Sequence, residues 1–141
     1  MTQDVGKLVL RILLGVLILL HGIAKLRLGV GDAGTAVERA GLPHLVAYLV
    51  YVGEVLAPAL VIAGFCTRLA AAAIAINMAV ALVLGHPGEL LRVEPHGGLL
   101  LEAQWLYLGC AVAIALVGAG RYSVDGGRHT TLIPALSQGR R

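Results

Sequence analysis

The sequence predicts an all-α integral membrane protein, a bundle of four transmembrane helices. Three observations predict it. The chain of 141 residues is 58% hydrophobic and only 13% charged, with a mean hydropathy of +0.87, whereas soluble domains carry about 25% charged residues. So few charged groups cannot cover the surface of a soluble globule, which excludes an ordinary cytosolic enzyme, a disordered chain and a nucleic-acid binder. Second, the chain holds four apolar runs of helical length. Third, the polar residues inside those runs share helix faces with small residues, as they do where membrane helices meet.

The first run, roughly Val5 to Leu26, reads as a retained helix. Arg11 interrupts it, and no small-residue cleavage site follows, so it does not resemble a signal peptide. The second spans roughly Leu45 to Phe65, the third Leu69 to Gly85 and the fourth Leu99 to Gly118. Each is near the ~17–25 residues that cross ~30 Å of hydrocarbon, whereas barrel strands are about half as long and alternate in polarity. Residues 27–44 form a Gly-rich connection with room for a short surface helix. Cys66-Thr67-Arg68 is a tight hairpin in which Thr67 is placed to cap the third helix. Residues 86–98 are a loop punctuated by Pro and Gly, and residues 119–141 form a polar C-terminal tail after the helical domain of residues 1–118.

The net charge of +3 comes from cations at the flanks of apolar runs and in the tail, not from a basic stripe interleaved with aromatics. Four crossings put both termini and the Thr67 hairpin on one side. Lys7, Arg11, Arg68, Arg121, Arg128, Arg140 and Arg141 lie there, against Lys25, Arg27, Arg39 and Arg92 on the other. The asymmetry places both termini in the cytoplasm. Cys66 and Cys110 are far apart and form no C-x-x-C, so neither a disulfide scaffold nor a self-contained dithiol centre is present.

The stretches LLGVLILLHGIAKL, GLPHLVAYLVYVGEVLAPALVIAGFCTRLAA, INMAVALVLGH and LYLGCAVAIALVGAGRYSVD resemble the DoxX family of small bacterial membrane proteins. The most specific features are the His-Gly-x-x-Lys-Leu ending of helix one, the Glu inside helix two, the Thr-Arg hairpin and the Gly-Arg-Tyr-Ser-x-Asp segment after helix four. The resemblance implies a four-helix bundle in the bacterial cytoplasmic (inner) membrane and a tie to redox metabolism. Relatives include the small subunit of a thiosulfate:quinone oxidoreductase and members linked to thiol and quinone stress.

Ionisable groups inside hydrocarbon cost ~2.5–3.5 kcal/mol each on insertion scales and face a bundle interior or a cavity. Here Glu54 is the deepest, ten residues past His44 and about 15 Å into its helix. Tyr51, Glu54 and Pro58 share one face, and Pro58 frees the carbonyl of residue 54 and is expected to kink the helix. Arg11, Gly15, Ile18, Gly22 and Lys25 form a stripe on helix one; Ala70, Ala73, Asn77 and Ala81 form one on helix three; Glu102, Gly109 and Ala113 form one on helix four. If these faces meet, they enclose a polar pocket open toward the outer half of the membrane. It would hold His21, Lys25, Glu54, Asn77, His86 and Glu102, with Tyr51 and Gln104 as hydrogen-bond partners. Lys25 or His21 reaching Glu54 or Glu102 would give a proton-exchanging pair, and Lys25 with Glu102 is the pair expected, because antiparallel crossing gives them similar depths.

Two roles compete for this cluster: proton exchange beside a quinone-sized cavity, and hydrogen-bonded glue between helices. The loop residues His86, Glu89, Glu94 and His96 match no zinc spacing. No flavin, haem or iron–sulfur motif is evident, so electrons would come from a partner. The function carried forward is a membrane component of a redox system, in contact with lipid and with cytosolic or membrane redox proteins, whose pocket takes a quinone. Its catalytic status is open. The alternatives are a non-enzymatic scaffold or assembly factor for cytosolic partners, and a small proton-coupled transporter working as a homodimer.

Overall fold

The chain is seen in a computed structural model that describes residues 1–129; Arg140 and Arg141 of the charge count lie outside the described residues. Helix α1 runs over Thr2–Leu28, about 40 Å at 1.5 Å per residue. Its buried stripe is Arg11, Leu14, Gly15, Ile18 and Gly22, a helical spacing of three and four. Val9, Leu13, Val16 and Leu20 are exposed on the opposite side, as lipid-facing residues are. Gly29, at φ +89, ends the helix, and its N–H returns to the Lys25 carbonyl at 2.8 Å.

The short helix α2, Gly31–Arg39, lies across the next element. It buries Val37, which with Val30 and Ala47 forms a small second core. Gly34 permits this approach, because a Cβ there would collide with the His44 ring. His44 also pairs with Glu38 at 2.8 Å, tying α2 to the start of α3.

Helix α3, His44–Ala63, is irregular. It opens as a 3-10 turn over His44–Leu49, widens to i→i+5 bonding over Val52–Leu56 and becomes regular over Ala57–Ala63. Pro58, which has no N–H to give to the Glu54 carbonyl, sits directly after the wide turn. The expected kink is thus a π-type bulge, one of the few recognised causes of helix distortion. Gly64 closes α3 in the left-handed conformation at φ +73.

Helix α4, Thr67–Gly85, is regular to Val80 and widens in the same way over Ala81–Gly85. Helix α5 covers Glu102–Val117, and α6 covers Val124–His129. The fourth apolar run therefore begins its helix three residues later than the sequence suggests. Gly98 accepts from Glu94 and Arg92 accepts from Leu100, and an isolated antiparallel bridge joins Val93 to Leu99, holding these residues out of the helix.

The described residues form no β-sheet. Three helices, α1, α3 and α4, are long and apolar enough to cross a membrane, and α5 is a shorter apolar helix. The main core takes Leu14 and Ile18 from α1, Ala57 and Val61 from α3, Ala70, Ala71, Ile74 and Met78 from α4, and Ala111 and Ile114 from α5. On α5 the buried face is thus Ala111 and Ile114. The expected Glu102, Gly109 and Ala113 face is not the packing face: Glu102 and Gly109 are exposed.

Candidate functional site

Two glycines bring three helices into close contact. A Cβ at Gly22 of α1 would collide with the Glu54 carbonyl of α3, and a Cβ at Gly53 would collide with the Asn77 side chain of α4. Small residues at such crossings allow this approach. The Glu54 backbone is therefore level with Gly22, six residues before α1 ends.

At this crossing Lys25 Nζ donates to Glu54 Oε1 at 2.6 Å, and Asn77 Nδ2 donates to the same oxygen at 3.3 Å. The Glu54 side chain is 4% exposed and that of Lys25 34%. Tyr51 Oη donates to the Lys25 carbonyl at 3.1 Å, fixing the end of α1 that carries the lysine. Glu54 Oε2 is buried and has no hydrogen-bond partner among the described residues.

The crossing forms one wall of a cavity of about 770 Å³ between α2, α3 and α4. Its lining is mainly apolar, with Val37, Val50 and Leu84 among the walls; Lys25, Glu54 and Asn77 form one polar group, and Asp32, Thr35 and Arg39 of α2 line the cavity from the other side. Both wide turns border it, through Val52, Gly53 and Glu54 on one side and Ala81, Leu84 and Gly85 on the other. An i→i+5 turn leaves a helix irregular, and such turns concentrate at functional sites. A half-open apolar cavity with few convergent polar groups has the form of a small-molecule site.

The eight residues singled out from the sequence divide. Lys25, Tyr51, Glu54 and Asn77 come together. His86 lines the cavity but turns its Nδ1 toward Glu89 at 3.5 Å. His21 is exposed, bonds the Leu17 carbonyl of its own helix at 2.8 Å and packs edge-on against Tyr107. Glu102 is exposed at the start of α5, beside Gly98, and Gln104 is half-buried two residues on; neither lines the cavity. The expected Lys25–Glu102 pair is replaced by Lys25–Glu54. Comparable depth was not enough, because the Gly22 contact seats α1 against α3 at this level.

A second polar centre lies at the opposite end. Arg11 is 1% exposed and donates to the carbonyls of Val61 and Ile62, both at 2.9 Å, of Ala119 at 2.7 Å and of Tyr122 at 2.9 Å. Val61 and Ile62 lie in the last turn of α3, where carbonyls lack i→i+4 partners and carry the negative end of the helix dipole; the Val61 carbonyl also accepts from Gly64 N at 3.2 Å. Sequence reasoning treated Arg11 as a flanking charge and an edge of the α1 stripe. The available signal was a planar five-donor group inside an apolar run, one turn from the level of a helix end closed by glycine.

Asp125 completes that end. Its carboxylate accepts from Cys66 N at 3.0 Å, Thr67 N at 2.8 Å and Thr67 Oγ1 at 2.9 Å. The α4 N-terminus is thus capped by a residue far along the chain and not by Thr67 itself. The Gly-Arg-Tyr-Ser-x-Asp segment is accordingly a clamp on the helix ends.

A family model described as DoxX matches residues 6–87. No curated protein and no solved structure matches the chain. The matched stretch contains α1 to α4, and with them Lys25, Tyr51, Glu54, Asn77 and the cavity, while α5 and the Asp125 clamp fall beyond it. With more than half of its length matched, the chain belongs to the DoxX family.

Proposed function

We propose that this DoxX protein binds a quinone-class ligand in the cavity between α2, α3 and α4, as the membrane component of a redox system. Lys25, Glu54 and Asn77 hold the polar end of the ligand, and the apolar walls hold its ring and tail. Electrons come from a partner protein. On this reading α5 is a short fourth crossing, both termini lie in the cytoplasm of a bacterium and the cavity faces the outer side of its inner membrane; the Lys/Arg asymmetry supports it.

The observation that carries the reading is the buried Glu54 carboxylate on the cavity wall. One oxygen is held by Lys25 and Asn77, and the other has no partner among the described residues. Interhelical polar bonds in membranes average under ~1 kcal/mol, so glue alone is a weak reason to bury a carboxylate with half its acceptors unused. A scaffold reading has less support. The hairpin amides that a cytosolic partner would meet are already taken by Asp125.

Mass-spectrometric identification of small molecules released from the detergent-purified protein tests this. We expect a lipid-soluble ring compound in near-stoichiometric amount. It should be lost in Ala81→Phe, which fills the cavity wall, and kept in Leu69→Phe, whose side chain is 75% exposed. Release of nothing beyond bulk lipid, or equal retention by both variants, would overturn the assignment.

A further inference from the structure

The hydrogen-bond inventory at the cavity wall goes beyond the presence of a ligand to its chemistry. A carboxylate has about four acceptor positions, two on each oxygen, and an ammonium has three donors. Glu54 Oε1 already accepts from Lys25 and Asn77. Both positions on Oε2 remain. Lys25 uses one side-chain donor, on Glu54, and among the described residues its Nζ has no other partner. Glu54 lines the cavity, and its bare acceptor lies just beneath the wall, beside the spare donors of Lys25.

Resting on the ligand site described above, we propose that the cavity selects a hydroxyl-bearing headgroup, a quinol or phenol, over the corresponding ketone or ether. A hydroxyl oxygen accepts from Lys25 Nζ while its proton is donated to Glu54 Oε2, so both sides of the wall are satisfied by one group. A ketone or ether oxygen also accepts from Lys25 but has no proton to give, and leaves Oε2 buried and unpaired. Oε2 is unpaired before binding as well, so the two ligands differ by the one hydrogen bond that the hydroxyl gains there, enough to tighten its binding about tenfold. In a redox system this wall would retain the reduced form of its ligand more tightly than the oxidised form.

The test uses probes that cannot themselves be oxidised or reduced at the binding step. The full chain is placed in lipid nanodiscs, and 4-hexylphenol and its methyl ether are titrated by calorimetry against empty nanodiscs. Ala81→Phe reports binding outside the cavity. We expect the phenol to bind about tenfold tighter than the ether. In Glu54→Gln an amide N–H₂ can stand where Oε2 was and donate to the ether, so the ratio should fall to about one or reverse. Equal binding of the two probes to the wild type, abolished by Ala81→Phe, would overturn the hydroxyl preference and leave the ligand site standing. Absence of binding by either probe above empty nanodiscs would overturn both. Should Glu54→Gln fail to fold, the wild-type ratio still decides.

Discussion

Removing Lys25 tests whether Glu54 is held as a charge pair. Breaking a buried pair from one side typically costs ~3–5 kcal/mol, because the remaining charge is uncompensated. Two features of this site lower that figure. Lys25 is itself 34% exposed, so part of its attraction is screened, and Asn77 keeps its hydrogen bond to Oε1. Lys25→Met should therefore destabilise by about 2 kcal/mol, below the buried-pair range. Glu54→Leu removes the buried acid and strands a lysine that can turn toward the headgroups, so its cost should be smaller, about 1 kcal/mol. In the double variant neither charge is left over, and a coupling of about 1–2 kcal/mol should appear. The assay is reversible unfolding in mixed micelles, followed by helical circular dichroism, for the wild type, both single variants and the double. Strictly additive single effects would show that Lys25 and Glu54 do not interact, and the site as described would be wrong.

Three further outcomes follow from the packing. Gly22→Ala should lower the melting temperature through a cost of about 1–3 kcal/mol, because its methyl meets the Glu54 backbone; Gly6→Ala, also in α1 but with nothing within 4 Å, should not lower it, helix propensity favouring a small rise. Asp125→Ala should cost about 1–2 kcal/mol by uncapping α4, seen as earlier unfolding and faster proteolysis at the Cys66 hairpin. His21→Ala and Glu102→Gln, both exposed and away from the cavity, should retain wild-type ligand binding; loss in either would place the site nearer α5 than the structure does.

Much of α1 to α4 was legible in the sequence because small residues and polar groups recur there at helical spacing. Arg11, Gly15, Ile18 and Gly22 mark the packing face of α1, and Tyr51, Glu54 and Pro58 that of α3. On α5 the stripe that the sequence suggests, Glu102, Gly109 and Ala113, is not the packing face. The helix is apolar on all sides, so its pattern does not distinguish Ala111 and Ile114, which are buried, from Gly109, which is exposed. The Lys25–Glu54 pair was missed for a different reason. Depth was counted along uniform helices, whereas α3 combines a 3-10 start with a wide turn, and the crossing level is set by where Gly22 meets the Glu54 carbonyl. The cavity itself depends on α2 lying across α3 and on two i→i+5 turns, features of tertiary packing that hydropathy does not encode. Arg11 and Asp125 were visible as residues, but their partners are backbone carbonyls and amides, which carry no side-chain signature.

The central claim is that a quinone-class ligand occupies the cavity against Glu54. Photoaffinity labelling with an azido-substituted short-chain quinone, on the full chain in nanodiscs and followed by peptide mapping, tests it most directly. Label should fall on residues 46–54 of α3, residues 73–85 of α4 and the adjoining His86, and excess unlabelled quinone should prevent it. Label spread over lipid-facing positions such as Leu106 and Leu116 of α5, and undiminished by excess quinone, would contradict it.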